Sequence, residues 1–573
     1  MVAWRRAWMR EDAMTHRAHL SGMTLAALIT LLLAPLILFG FVWDLGIVPW
    51  NPPSRDILFS AAELRSLANG DFIPFGALAN SELGAPFGLQ GADWPIDSPL
   101  QFAIMWPLAL LLKNPFLVMN LYVVLTHVMS AAAFYLLAIN VNVRRETAIA
   151  ASVLFAFIPF HLLRVRHLSL TAHAAVAIAV LLSLWVFQGK PVLSKERRWI
   201  TLSAALAIGF WQGYFAFFCC LFLVASGVAA AVIAKEKKPL LSALVLSAAT
   251  AAAAFMCLVP TLLYKQQHGA NPAVAQRQAE EVDYYGLRLG SILLPPPTHR
   301  LPPLAAIGEK YERDQGTPAE GHHIEYLGGF AILGLVSLIL AARKQSLRGR
   351  SVEWFLLLLT IVAVLYAMPG GGGSLFARAV TPIFRSLNRI SVFIACFGVL
   401  GAALWLDKRL AKLSGRPLMG MLCAIVLVAF FDQLPEIPTQ APDDQYVEAT
   451  QQIYQKVQAA LPAGSAVLQL PYMAFPEGPR VGDLFDYQHL EAYLLTHDLR
   501  FSYGAMKGQE AAQKIEALSR MPIDVEAVKA LYRAILIDKR GYADEGAAVH
   551  AHLMSNGLTR TLDTEVVALY AFQ

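Results

Sequence analysis

In the stretch PSRDILFSAAELRSLANGDF (residues 53–72) an acid, Asp56, stands near the start of a short helical pattern, shortly after an apolar run over 22–43. A carboxylate there has two chemistries open to it. It complements the helix dipole, a contribution of about 0.3–1 kcal/mol, or it takes a proton from a hydroxyl as a general base. Further on, LGAPFGLQGADWPIDSPLQF (83–102) sets Trp94 between Asp93 and Asp97. These two acids could help hold a divalent cation or a sugar hydroxyl. They could equally cap turns, because Asp before Ser-Pro is a common turn starter.

Cations that could meet a phosphate come in three groups. FHLLRVRH carries His161, Arg164, Arg166 and His167. His161 and Arg164 are three apart and share a helix face, so Arg164 could clamp a phosphate bidentately while His161 exchanges a proton. The alternative is Arg166 snorkelling to headgroups with no ligand. A second group holds Arg288, then Pro295-Pro296-Pro297, a stiff extended run that aims His299 and Arg300 in one direction. Arg300 is a second phosphate candidate, and Tyr284-Tyr285 could stack on a sugar. Arg385 and Arg389 follow the flexible Gly370–Gly373 run, and Arg389 could meet a lipid phosphate or serve only as an interfacial anchor. His322-His323 has no partner at metal-ligand spacing and reads as a solvated pair. No spacing demands a metal or other cofactor.

The elements that must position these groups are membrane helices. The chain is 57% hydrophobic and only 15% charged, where soluble domains carry about 25% charge. Runs near 22–43, 116–139, 146–163, 168–188, 198–212, 214–234, 239–263, 326–342, 353–368, 389–406 and 417–433 predict eleven spans. The long run over 198–234 is split at Gln212-Gly213, a polar residue followed by a breaker. Basic clusters at Arg5/Arg6, Arg144/Arg145, Lys195/Arg197, Lys235/Lys237, Arg343/Lys344 and Lys408/Arg409 fall on one side if 100–112 does not cross. The positive-inside rule then puts the N-terminus in the cytoplasm. External loops follow at 44–115 and 264–325, with the tail from 436 also outside.

That tail carries 11 Lys and Arg against 18 Asp and Glu, whereas residues 1–435 carry 35 against 23. An acidic tail on a basic membrane body argues against nucleic acid as a partner. All five cysteines sit in apolar runs and read as packing residues. In the tail, helical stretches alternate with the strands SAVLQLPY, the later part of AVKALYRAILIDKRGY, and VVALYAF, which predicts a small α/β domain. Its loop FSYGAMKG, with Tyr503 and Lys507, could bind an acceptor glycan or close over a site, or simply support the membrane loops. Asp538 reads as a turn residue at a strand end. The pattern of Asp56 places an amphipathic helix on the outer leaflet, started by Ser54 and stopped at Asn69-Gly70.

An external loop opening with Asp56, about fourteen residues before Gly70-Asp71-Phe72, resembles the polyprenyl-phosphate-dependent glycosyltransferases of the GT-C superfamily. Aminoarabinose and protein-mannosyl transferases have the most similar first loops. FAFIPFHLLRVRHLSL, YYGLRLGSILLPPPTHRLPPL, SLNRISVFIA, DQLP, LQLPYMAFPEGP and RFSYGAMKG also resemble a bacterial polytopic group labelled glycosyltransferase or YfhO-like. The resemblance implies a GT-C-like transmembrane domain over 1–435 and a soluble extracytoplasmic α/β domain over 436–573. It implies a sugar moved from a polyprenyl phosphate to a lipid-linked or cell-surface glycan at the bacterial inner membrane. Asp56 would be the base, with Asp93 and Asp97 beside it; His161, Arg164, His167, His299, Arg300, Arg389 and Trp94 would bind substrate. A flippase or accessory protein that keeps the scaffold without catalysis is the alternative. A secondary transporter fits less well, lacking an evident inverted repeat.

Overall fold

The computed structural model describes residues 2–39, 55–96, 98–164, 167–315, 324–343, 350–434 and 444–572. It is mainly helical, with one small mixed sheet near the C-terminus. In chain order come α1 (Val2–Phe39), α2 (Arg55–Asn69), α3 (Pro99–Leu112), α4 (Pro115–Asn140), α5 (Arg145–Ala156), α6 (Pro159–Leu163) and α7 (His173–Phe187). Then follow α8 (Arg198–Trp211), α9 (Gly213–Ala234), α10 (Lys238–His268), α11 (Glu281–Tyr284), α12 (Leu289–Leu293) and α13 (Pro302–Gln315). The last apolar helices are α14 (Gly329–Ala342), α15 (Val352–Ala367), the short α16 (Gly372–Ala379), α17 (Ser391–Arg409) and α18 (Gly415–Gln433).

Seven helical segments are long and apolar enough to cross a membrane, or eight if the bent pair α15 and α16 is one span. All eleven expected segments are helical, but α7, α8 and α14 have only 14 or 15 residues. Large apolar side chains such as Leu32, Val232, Leu427 and Val428 stand exposed on helices, a surface suited to lipid rather than water. The chain is a multi-pass membrane protein. The break at Gln212 is as expected: its side chain caps α9 by accepting from Phe215 N–H at 2.9 Å.

The chain forms two compact units. The first comprises Met1–Phe41, Tyr122–Phe255 and Arg277–Thr439; the second comprises Val42–Leu121, Met256–Gln276 and Gln440–Gln573. In the first, α17 is central and packs against α5, α7, α14 and α15. Small residues let α14 and α17 approach: a Cβ on Gly334 would lie 1.7 Å from the Gly398 carbonyl oxygen, and one on Gly398 2.5 Å from that of Ala331. Such close backbone approach substitutes packing for the hydrophobic drive that lipid removes.

One end of this unit collects the basic clusters. Arg144 pairs with Asp407 at 2.7 Å, Lys408 with Glu353 at 2.6 Å, and Arg350 donates to the Gln188 carbonyl at 3.1 Å. These contacts join the start of α5 and α15 to the end of α7 and α17. The opposite ends of the same helices therefore carry Arg164, Met368, His173 and Arg389.

In the second unit the C-terminal stretch builds α19 (Asp444–Ala459), β3 (Ala466–Leu470), α20 (Leu490–Leu495), β4 (Arg500–Phe501), α21 (Glu510–Ser519), α22 (Val525–Lys529), β5 (Ala534–Asp538), α23 (Ala547–Ser555), β6 (Leu562–Asp563) and β7 (Val567–Ala571). The order across the sheet is β4-β3-β5-β7-β6, with β3 parallel to β4 and β5, and β7 antiparallel to β5 and β6. Leu468, Leu470, Ile535, Ile537, Ala568 and Tyr570 form its core. The expected α/β pattern of the tail is present. Asp538 ends β5 and caps the next turn as expected, and it also pairs with Arg540 at 2.7 Å, which in turn reaches Glu491 at 3.0 Å.

The first loop is part of the same core. The pair β1 (Ala79–Asn80) and β2 (Leu89–Gln90) frames residues whose backbone extends the sheet edge: Phe501 N–H donates to Glu82, and Ala85 N–H to Phe501. Gly84 has φ 69°, and a Cβ there would sit 3.0 Å from Gly88 and 3.2 Å from Ala505, so this tight contact requires glycine.

Candidate functional site

The second unit carries the first-loop acids. Asp56 occupies the first turn of α2 and is half-buried; α2 ends at Asn69, with Gly70 at φ 81°. Ser54 lies outside the described residues. The placement on a leaflet is corrected. Ile57, Leu58, Ala61, Ala62, Leu64 and Leu67 are all buried, and α2 packs on α3 and α20. An apolar helix face reads the same from sequence whether lipid or protein covers it.

Phe59, one turn beyond Asp56, stacks on Tyr487 at 5.1 Å and meets Phe475 edge-on at 5.5 Å. Beside Tyr487 is Asp486, which is buried and accepts from Tyr487 N–H at 2.9 Å and Tyr503 O–H at 3.4 Å. Burial pushes the Asp486 carboxyl up to about 6, opposed by the Gly478 and Tyr487 amides and assisted by the negative charge of Asp56. Asp56 also adds to the upward push that burial exerts on Tyr487. Sequence reasoning missed Asp486, because nothing in GDLFDYQHL marks it. Tyr503 is buried against this carboxylate, the supporting role that its loop also allowed. Lys507 donates from Nζ to the Glu477 carbonyl at 3.2 Å.

Asp93 is buried and accepts from Asn271 Nδ2 at 2.9 Å and Gln509 Nε2 at 3.0 Å. It thereby ties three separate stretches together. Trp94 is half-buried and its N–H donates to Gly91. Asp97, like Arg166 and His322-His323, lies outside the described residues.

The first unit carries the basic candidates. His161 on α6 is fully buried; its ring stacks on His127 at 3.7 Å and lies 4.0 Å from His173, with Thr126 Oγ1 at 3.3 Å. Arg164 caps α6 and is buried, its guanidinium 5.9 Å above Phe160. The charges of Arg164 and Arg288 act on Glu325, whose carboxyl burial pushes well above the usual range against an Asn388 hydrogen bond. Arg389 sits 4.3 Å over the Tyr214 ring. His167 is half-buried, and its N–H donates to Arg164.

The triple-proline segment does aim His299 and Arg300 alike, toward the end of α18. His299 Nδ1 accepts from Leu301 N–H, leaving Nε2 to donate to Asp432 at 3.3 Å; Arg300 Nε donates to the Leu434 carbonyl at 3.2 Å. Asp432 also accepts from Tyr326 O–H at 3.0 Å and Gly329 N–H at 2.6 Å, so DQLP forms a clasp on the start of α14. The loop acids are paired as well: Glu281 with Arg385 at 3.0 Å and Asp283 with Arg378 at 2.9 Å. Among the described residues no three His, Cys, Asp or Glu side chains are grouped to hold a metal ion.

A family model described as a domain of unknown function, DUF6311, matches residues 75–433. The chain belongs to this family. The DUF6311 match covers the described basic candidates, together with Asp93 and Trp94, and stops short of Asp56 and Asp486. No curated protein matches the sequence. Among solved structures, this DUF6311 chain is similar to the Archaeoglobus fulgidus oligosaccharyltransferase solved with zinc and sulfate, at 12% identity and TM-score 0.42 over 90% of this chain and 68% of that one. It is similar to the arabinofuranosyltransferase AftD from Mycobacteria at 15% identity and TM-score 0.48, covering 96% of this chain and 39% of that one. It is also similar to ArnT from Cupriavidus metallidurans bound to undecaprenyl phosphate, at 12% identity and TM-score 0.46, covering 96% and 97%.

Proposed function

We propose that the chain is an extracytoplasmic glycosyltransferase that moves a sugar from a polyprenyl phosphate onto a lipid-linked or cell-surface glycan. Residues 1–435 then form the membrane domain of a bacterial inner-membrane protein with a cytoplasmic N-terminus, and residues 436–573 lie outside. The observation that carries this reading is the setting of Asp56. Its helix is fixed by buried apolar contacts, while its half-buried carboxylate sits in the first turn, close enough to act on Asp486 and Tyr487.

In the reaction, the acceptor hydroxyl oxygen bonds to the sugar carbon as the bond from that carbon to the phosphate oxygen breaks. Asp56 takes the hydroxyl proton, and the phosphate leaves with the bonding pair. Phosphate is a good leaving group, so no general acid is needed. Cations stabilise the charge that grows on the departing phosphate.

The test is genetic and chemical. In cells lacking the chain, wild type and Asp56→Asn are expressed to equal levels in the membrane and the cell-surface glycan is analysed by mass spectrometry. Restoration by wild type and not by Asp56→Asn is expected. Full restoration by Asp56→Asn would sink the catalytic role and leave a lipid-linked-sugar flippase as the better account.

A further inference from the structure

Asp486 lies 430 residues from Asp56 in sequence, yet both belong to the second unit, and the frame around them is tightly built. Phe59 of α2 is held between Tyr487 and Phe475. Phe475 in turn meets Tyr503 edge-on at 5.5 Å. The Glu477 N–H donates to Tyr487 O–H at 3.2 Å. Glu477 and Tyr487 both have positive φ, 51° and 63°, a conformation that costs a non-glycine residue of order 1–3 kcal/mol and persists only where the surroundings impose it. The strained pair presents Asp486 between two donors, Tyr487 N–H and Tyr503 O–H.

We infer that Asp486 is a positioning residue for Asp56: the C-terminal stretch supplies a second carboxylate that faces the first-loop carboxylate and sets its proton affinity. The inference rests on the reading of Asp56 as the base. Two facing carboxylates raise one another's hold on a proton. With Asp486 ionised, Asp56 is a stronger base toward a sugar hydroxyl than an isolated aspartate. The proton ends on Asp56; Asp486 forms and breaks no bond. The groups facing Asp486 are Asp56 from α2, Glu477 from the preceding loop, and the Tyr487 and Tyr503 hydroxyl-bearing rings.

The test reads protonation directly and does not depend on knowing the donor. Full-length protein in detergent is treated with a hydrophobic carbodiimide, which modifies protonated buried carboxyls, over a range of pH. Modification at Asp486 is then mapped by mass spectrometry. Labelling of wild type should fall as pH rises through about 6. In Asp56→Asn the midpoint should move down, because the Asp56 charge no longer favours the protonated form. An unchanged midpoint in Asp56→Asn overturns the pairing. Asp486→Asn, which keeps an oxygen for both donors, should melt no lower than wild type yet reduce glycan restoration at least about tenfold, as loss of a tuned base does. Full restoration by Asp486→Asn overturns the positioning role. A shifted midpoint with glycan intact in Asp56→Asn supports the pair while removing the transferase reading. Glycan lost with the midpoint unmoved does the reverse.

Discussion

Arg65 and Tyr493 are joined twice: the guanidinium lies 4.2 Å over the ring and donates to the Tyr493 backbone carbonyl. Arg65 also donates to the Thr496 carbonyl at 2.7 Å and pairs with Glu82 at 3.0 Å. One side chain thus binds α2, its own loop and the end of α20. Hydrogen bonds to a charged donor contribute about 1.5–3 kcal/mol. Arg65→Ala should therefore destabilise the second unit by roughly 2–3 kcal/mol, visible as faster proteolysis between α2 and β1. Arg65→Lys should recover only part, since an ammonium cannot span two carbonyls and a carboxylate as a planar fork does.

Gly334 has no room for a side chain. Any Cβ meets the Gly398 carbonyl oxygen, and backbone cannot step aside. Gly334→Ala should separate α14 from α17 at a cost of at least about 1–3 kcal/mol, read as a lower yield of monodisperse protein in detergent. Gly420→Ala on α18, with nothing within 4 Å of the new methyl, is the control and should be neutral or slightly stabilising.

Asp432→Ala should strand three donors, Gly329 N–H, Tyr326 O–H and His299 Nε2–H. Tyr326 and His299 are buried, and an unmatched buried donor costs about 1–3 kcal/mol, whereas the exposed Gly329 N–H turns to water. Faster amide exchange confined to the first turn of α14 and to residues 299–301 is the expected result, with α17 unaffected.

Two aspartates should give opposite pH dependences. Asp283 is held below the usual carboxylate range by Ser374, the Gly370 N–H and Arg378. Its stabilisation is present above the ordinary value of 3.8 and lost as pH falls through its lower folded value. Asp486 is raised, so its contribution is full below 3.8 and lost as pH rises through about 6. Melting curves from pH 4 to 7 should flatten in Asp486→Asn, and Ser374→Ala should shift the acid-side loss to higher pH.

Much of this molecule was legible from pattern. Apolar runs located the seven helical segments long and apolar enough to cross a membrane, Gln212 marked the break between α8 and α9, and alternation in the tail announced β3, β5 and β7. What covers a helix was not legible: Ile57 and Leu64 read as lipid-facing and turned out to face protein. Pairings across long separations were equally hidden. Asp93 allowed a ligand or a turn, and its two amide donors, Asn271 and Gln509, come from distant segments that no local pattern names; Asp486 carried no local signal at all. The first residue of DQLP, Asp432, takes three donors from segments over a hundred residues away.

The second unit draws on three stretches, and the last follows every apolar helix. Chains acquire structure in order of synthesis, N-terminal parts first. During biogenesis α2 therefore has α3 to pack on early, while the part of its apolar face that α20 covers waits through the insertion of α18 until α20 has been made. A chain cut short within the final stretch would own a complete set of spans and still leave that part uncovered. Such a product would fail at quality control, not at membrane insertion.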